Sequence, residues 1–119
     1  MTPGRIVAVD WRDALPGSGE PNKVRLGVVV SSPRYFGSVL PFEIVVPLTG
    51  ATELAVAGAS VLISPTPENG CTKPCYALAW NVQSVPHARL TETPSHVTSD
   101  ELERIRAQLA DCVSASPTA

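Results

Sequence analysis

Two stretches of this chain carry residue types that bind phosphate groups. Residues 24–32 are a β-branched apolar run with Arg25 near its start, and residues 44–50 are a second apolar run that ends in Thr49 and a glycine. Both runs are typical of buried strands. A guanidinium at a strand end must reach solvent or an anionic partner. We therefore predict that Arg25 and Thr49, on neighbouring strands, converge on one phosphate; the alternative is a surface arginine without such a role.

The cysteines and histidines do not form a metal-binding pattern. Cys71 and Cys75 lie in a proline-rich loop without a second ligand pair, and His87 and His96 show no ligand spacing relative to them. The odd number of cysteines suits a reducing compartment better than a disulfide framework. We predict no metal ion and no cofactor, and dispensable cysteines.

Composition and charge describe one small domain. The 119 residues carry a formal net charge of −2, which excludes the strongly basic composition of many nucleic-acid-binding proteins. Residues 1–50 nevertheless hold five basic and four acidic residues, so we expect any anion site in the N-terminal half. No apolar run approaches the ~20 residues of a membrane span, and no signal-peptide pattern begins the chain. We expect a cytoplasmic protein without membrane contact.

The spacing of apolar residues predicts a mostly β protein. Five strands are expected, at residues 4–11, 24–32, 41–48, 59–64 and 76–85. Pro47 is expected at a sheet edge or bulge. Residues 12–23 are too polar and too broken to form an element, and residues 50–58 and 86–90 each suit one helical turn.

One helix is predicted, over residues 99–113. Thr98 and Glu101 form a capping-box pattern at its start. Its apolar face consists of residues three or four apart: Leu102, Ile105, Leu109 and Cys112 or Val113. We expect one domain over residues 1–113 and a disordered tail over residues 114–119. Five strands with a helix over an open edge favour a small, strongly bent, SH3-like β-barrel.

These pieces together resemble the MazF (PemK-like) toxins of bacterial toxin–antitoxin pairs. The resemblance spans residues 4–113 and rests on the order of short motifs: Gly4-x-Ile-Val-x-Val-Asp10, Glu20 five residues before Arg25, Val28-Val29-Val30-Ser31, Val45-Val46-Pro47-Leu48-Thr49, Ala77-Leu78-Ala79, Val82-x-Ser84-Val85 and Glu101-Leu102-x-x-Ile105.

The resemblance implies a barrel of the CcdB/MazF kind that acts as a homodimer. It implies metal-independent cleavage of single-stranded RNA at short motifs, with 2′-hydroxyl attack leaving 2′,3′-cyclic phosphate and 5′-hydroxyl ends. Arg25 and Thr49 fall on the catalytic positions of that family, and Glu20 on an acidic position of its active-site loop. A cognate, MazE-like antitoxin would bind across the same groove and inhibit cleavage. DNA is not expected as a ligand of the toxin alone.

The chain departs from the family pattern at three places. Leu26 stands where proline usually follows the arginine, Trp80-Asn81 replaces an acid–glutamine pair, and Gln83 replaces a basic residue. These departures bear on the RNA sequence preference and on whether the toxin is fully active. RNA contacts are expected from five residues: Lys23, Arg12, Trp80, Asn81 and Gln83.

The general base is left open by the sequence. Arg25 suits charge stabilisation, but with a pKa above ~12 it is a poor proton acceptor. Glu20 is the carboxylate near it in sequence and is either the base or merely structural; His87 and His96 are nominal candidates. Trp80 suits base stacking better than Trp11, which we expect in the core. The alternative functions are a non-catalytic CcdB-like toxin and an inactive barrel, each of which would bind a protein target.

Overall fold

The structure, a computed structural model, describes residues 1–11 and 24–114. Within these ranges the chain forms seven strands and one α-helix. The strands are β1 (Arg5–Asp10), β2 (Val24–Val29), β3 (Phe42–Thr49), β4 (Ser60–Ile63), β5 (Cys75–Leu78), β6 (Gln83–Pro86) and β7 (Leu90–His96), and the helix is α1 (Ser99–Cys112). All strand pairs are antiparallel. The predicted mostly β fold with a C-terminal helix is confirmed.

Five of these strands curl into a barrel-like layer in the order β6-β3-β2-β1-β7. The strands at its two edges, β6 and β7, are joined only by the short 3-10 helix His87–Arg89, so the edges of the layer lie close together. In the described part of the chain no ladder joins β6 to β7, and the barrel is therefore bent but not closed. The single helical turn predicted for residues 86–90 is confirmed.

β3 also belongs to a second layer, formed with the β4–β5 hairpin. Its first half, Phe42 to Val45, pairs with β6, whereas Leu48 and Thr49 pair with β5. Pro47 lies between these two ladders, buried and opposite Gly27 of β2. The prediction of an edge or bulge for Pro47 is therefore wrong. A proline is accommodated because its missing N–H falls where β3 changes partner.

The C-terminal strands differ from the sequence prediction. The expected single strand over residues 76–85 is divided into β5 and β6 by the 3-10 helix Ala79–Asn81. Ala79 and Val85 are buried, whereas Trp80, which the predicted alternation puts on an apolar face, is 43% exposed. β7 was not predicted at all, since its polar sequence lacks alternation. Pairing with β1 and a 2.6 Å hydrogen bond from the Thr93 hydroxyl to the Ile6 carbonyl define that strand.

The central strands bury side chains on both faces, which explains their continuous β-branched runs. We call the face that β6 and β7 curl around the inner face. Its buried cluster is Val7, Val9, Trp11, Val29, Val45 and Val85, as expected for Trp11. The opposite, outer face carries Ile6, Val28 and Val46, packed with β4 residues and Ile105 of α1.

The α1 helix begins as predicted. The Thr98 hydroxyl accepts a 3.0 Å hydrogen bond from the Glu101 N–H, and the Glu101 carboxylate accepts a 2.9 Å bond from the Thr98 N–H. Leu102, Ile105 and Leu109 pack on the outer-face core. Cys112 and Val113 are exposed, so their predicted place in the apolar face is wrong. No helix among the described residues is long and apolar enough to span a membrane.

A buried carboxylate lies at one end of the inner face. Glu43 is 1% exposed. Its Oε1 accepts a 2.5 Å hydrogen bond from the Ser31 hydroxyl, and its Oε2 lies 2.6 Å from Nε2 of His87. The His87 backbone N–H also donates to the Pro41 carbonyl at 3.0 Å. Glu43 thus links the end of β2 to the β6–β7 connection with both oxygens satisfied.

We expect His87→Ala to lower the free energy of unfolding by about 1–3 kcal/mol, because Glu43 then keeps only its Ser31 partner. His96→Ala is the matched control; His96 is exposed, and its ring Nδ1 lies 3.2 Å from the neighbouring Val97 carbonyl oxygen. Its effect should stay within about 0.5 kcal/mol. Urea unfolding of both variants measures the difference, and equal effects would contradict this role for Glu43.

Close packing around Gly27 leaves no room for a side chain. A Cβ there would overlap Cγ1 of Val45 and approach the Val46 carbonyl oxygen at 3.3 Å. We expect Gly27→Ala to destabilise the protein by about 1–3 kcal/mol through overpacking. A Cβ at Gly50 meets no atom within 4 Å, so Gly50→Ala should change stability by less than about 0.5 kcal/mol. Thermal unfolding would show this prediction wrong if both variants melted together.

Candidate active site

Arg25 and Thr49 lie at the same end of the β2–β3 pair. Gly27 opposite Pro47 is the last pair of that ladder; continued by two residues, the same register would set Arg25 opposite Thr49. Arg25 also lies opposite Val9 of β1, so both side chains belong to the inner face. The Arg25–Thr49 pair therefore lies at the end of the inner face remote from Glu43. The convergence of the two side chains on one phosphate and their catalytic roles remain predictions.

Thr49 is oriented by its own turn. Its Oγ1 accepts a 3.1 Å hydrogen bond from the Ala51 N–H. The hydroxyl proton remains able to donate, because a hydroxyl group has one donor and two acceptor positions. Thr49 lies opposite Tyr76 of β5, a residue that the sequence did not single out. Only the β3–β5 register reveals Tyr76, since nothing local in the sequence specifies which strand follows β3 across the sheet.

Three predicted site residues, Arg12, Glu20 and Lys23, lie outside the described residues. Their roles beside the Arg25–Thr49 pair therefore stay predictions.

Asn81 and Gln83 border the same face. Gln83 lies opposite Val45, an inner-face residue, and its amide nitrogen is 3.4 Å from the Asn81 side-chain oxygen. Along β3, Val45 is four residues from Thr49, or about 13 Å at ~3.3 Å per residue. Gln83 therefore lies level with the core residue Val45, about 13 Å along β3 from Thr49.

Trp80 lies apart from these residues. Its indole N–H donates a 3.0 Å hydrogen bond to the Leu54 carbonyl, and its backbone N–H donates to the Ala59 carbonyl at 3.2 Å. Leu54 ends the 3-10 helix Thr52–Leu54, the helical turn predicted for residues 50–58. Trp80 is 43% exposed, so a fixed aromatic face is open to solvent beside the segment that follows Thr49.

Neither histidine belongs to the Arg25–Thr49 pair. His87 is bound to Pro41 and Glu43 at the other end of β3. Pro41 and Thr49 are eight residues apart, or about 26 Å along an extended strand. His96 lies at the end of β7, opposite Arg5. The geometry therefore removes both histidines as bases for chemistry at this pair.

A cavity of the structure lies away from the Arg25–Thr49 pair. It has a volume of about 290 Å³, separates the first residues of the chain from the start of α1, and is lined by residues that include Thr2, Arg5, His96 and Leu102. Among residues 1–11 and 24–114, no group of three or more His, Cys, Asp or Glu side chains could hold a metal ion. The Arg25–Thr49 pair lies on a strand surface, which suits an extended ligand better than a small enclosed one.

Known proteins share this fold and sequence pattern. A family model for the PemK-like, MazF-like toxins of type II toxin–antitoxin systems matches residues 2–113. An endoribonuclease in complex with its cognate antitoxin, from a mycobacterial species, has a TM-score of 0.74 at 17% identity, over 98% of this chain and 97% of that chain. MazF from Deinococcus radiodurans has a TM-score of 0.71 at 20% identity, over 93% and 94% of the two chains.

A MazE–MazF structure from Deinococcus radiodurans has a TM-score of 0.70 at 20% identity, over 98% of each chain. No curated protein matches the chain. At these identities the solved structures establish a shared fold. Because the family match covers almost the whole sequence, the chain belongs to the PemK-like, MazF-like toxins of type II toxin–antitoxin systems.

Proposed function

We propose that this protein is a toxin endoribonuclease that cleaves single-stranded RNA at short sequence motifs. The observation that carries the proposal is the family match over residues 2–113, and the position of Arg25 and Thr49 at one end of the β2–β3 pair supports it. Cleavage proceeds without a metal, by attack of the ribose 2′-hydroxyl on the adjacent phosphorus. The bond to the 5′ oxygen breaks, which leaves a 2′,3′-cyclic phosphate and a 5′-hydroxyl end.

The chemistry requires one group to bind developing negative charge and others to move protons. Arg25 supplies the charge, because its planar fork can donate two hydrogen bonds to phosphate oxygens. Thr49, fixed by the Ala51 N–H, donates a third hydrogen bond to a non-bridging oxygen. A preorganised set of donors favours the phosphorane over the ground state, because the phosphorane carries more charge.

Glu20 is our proposed general base. It precedes Arg25 by five residues in the chain, and its carboxylate would accept the 2′-hydroxyl proton. The support is its place in the family motif and the exclusion of His87 and His96 by geometry.

RNA binding is assigned to five residues: Arg12, Lys23, Trp80, Asn81 and Gln83. Arg12 and Lys23 would contact phosphates, where charge provides most of the affinity. The exposed face of Trp80 suits stacking on an unpaired base. The amides of Asn81 and Gln83 can read base edges, as amide groups have both donors and acceptors.

A cognate antitoxin of the MazE type is proposed to bind across the same groove and block it, with the toxin acting as a cytoplasmic homodimer. The solved relatives include toxins in complex with their antitoxins, which supports the proposed antitoxin partner. The dimer follows from the family alone. Light scattering tests it, and a monomer that cleaves RNA at full rate would contradict it.

The purified protein should cleave single-stranded RNA in the presence of a chelator. A substrate with a single 2′-deoxynucleotide on the 5′ side of the cut should resist, because the attacking hydroxyl is gone, and DNA of the same sequence should not be cut. Mass spectrometry of the products should show 2′,3′-cyclic phosphate ends. Activity lost in chelator and restored by magnesium would overturn the metal-free mechanism.

Arg25→Ala and Arg25→Lys should both lower the cleavage rate by about 10²- to 10³-fold, since lysine keeps the charge but loses the two-point grip. Thr49→Ala should act in the same direction more weakly, because a neutral donor is lost. Arg34→Ala is the matched control: Arg34 is exposed and stacks near the Tyr35 ring at 5.4 Å, at the far end of β2. Single-turnover rates measure the effects, and near-normal cleavage by Arg25→Ala would refute this active site.

A further inference from the structure

Two thiols that the proposed mechanism does not use lie in contact. Sγ of Cys71 is 3.9 Å from Sγ of Cys75, and both cysteines are free and partly buried. A disulfide bond is about 2.05 Å long, so the sulfurs would have to approach by about 2 Å. Disulfide formation therefore requires that movement of the two side chains and of the residues between them.

The backbone holds both cysteines in place. Asn69 is buried, and its side-chain oxygen accepts hydrogen bonds from the Thr66 N–H at 3.0 Å and the Cys71 N–H at 2.9 Å. Its amide nitrogen donates to the Ser64 carbonyl at 2.8 Å. Cys75 begins β5 and lies opposite Ile63 of β4. The thiol contact thus joins a braced loop to a strand end.

The environment of Cys75 makes the two thiols unequal. Burial above all, with smaller contributions from Cys71 and Glu101, raises the pKa of Cys75 to about 12. Cys75 is therefore protonated at neutral pH and is a poor first nucleophile. The contributions of Cys71 end once Cys71 has reacted, whereas those of burial and Glu101 remain. We therefore expect Cys71 to react first with an oxidant. Cys75 would then attack the oxidised Cys71 sulfur.

We propose that Cys71 and Cys75 form a redox site that low-molecular-weight disulfides oxidise reversibly to an intramolecular disulfide. The Cys71 thiolate attacks one sulfur of the small disulfide; a mixed disulfide forms, and one small thiol leaves with a proton. Cys75 then loses its proton and attacks the Cys71 sulfur, which releases the second small thiol. The two cysteines are oxidised by two electrons, and the small disulfide is reduced to two thiols.

This site lies close to the proposed RNA surface. Cys75 directly precedes Tyr76, the residue opposite Thr49. The new bond would tie the loop around Asn69 to the strand that borders the Arg25–Thr49 pair. The thiol chemistry itself does not depend on RNA cleavage.

The test uses the full chain with Cys112→Ser, which removes the exposed third thiol, and oxidised glutathione as the probe. Intact mass should show the loss of two hydrogen atoms without a lasting glutathione adduct, and dithiothreitol should reverse it. Peptide mapping should place the bond between residues 71 and 75. Closure of the adduct should speed up as pH rises from 7 to 9, because Cys75 must lose its proton.

Two single variants in the same background serve as controls. Cys75→Ser should keep a stable glutathione adduct on Cys71, and Cys71→Ser should remain largely unmodified at neutral pH. A parent protein that stays reduced, keeps the adduct, or cross-links only between molecules would overturn the proposal. These readouts are independent of activity, so their failure is distinct from a failure of the proposed nuclease function.

Discussion

The pairing of β2 with β3 is the constraint on which the rest of the structure depends. Both strands bury side chains on two faces, so a register slip of one residue would exchange the inner and outer cores completely. Packing of Val29 and Val45 on one face and of Val28 and Val46 on the other therefore fixes a single register. The packing of these apolar residues therefore also determines where the polar side chains of the two strands lie.

One face of this strand pair carries three kinds of environment. Ser31 and Glu43 form a satisfied polar contact at one end, valines fill the middle, and Arg25 and Thr49 lie at the other end. The apolar middle separates the buried Glu43 carboxylate from the Arg25 guanidinium. About 20 Å of strand separates the two ends, so the two groups are far out of contact.

Local patterns predicted much of the fold. Apolar runs identified the first four strands, and the Thr98–Glu101 spacing identified the helix start, because these signals depend on neighbouring residues alone. The division of residues 76–85 into two strands depends on β3 changing partner, a non-local event. β7 was invisible for a related reason, since its polar sequence is a strand only because β1 pairs with it.

The candidate site likewise contains residues that the sequence alone could suggest and residues that it could not. Arg25 and Thr49 could be proposed from the sequence because strand ends are local features and the family motif contains both. Tyr76 and the Glu43–His87 contact could not, because each depends on a pairing between distant segments. Glu43 in particular has no sequence signal; a glutamate in an apolar strand is buried here only because Ser31 and His87 meet it.

The pairing of β1 with β7 also determines when the protein can fold during its synthesis. Arg5 is opposite His96, so the first strand of the barrel gains its outer partner from near the end of the chain. Contacts of such long sequence separation form late and slowly. The barrel therefore cannot be complete until residue 96 has left the ribosome. A nascent chain that stops before β7 leaves the outer edge of β1 unpaired by that strand.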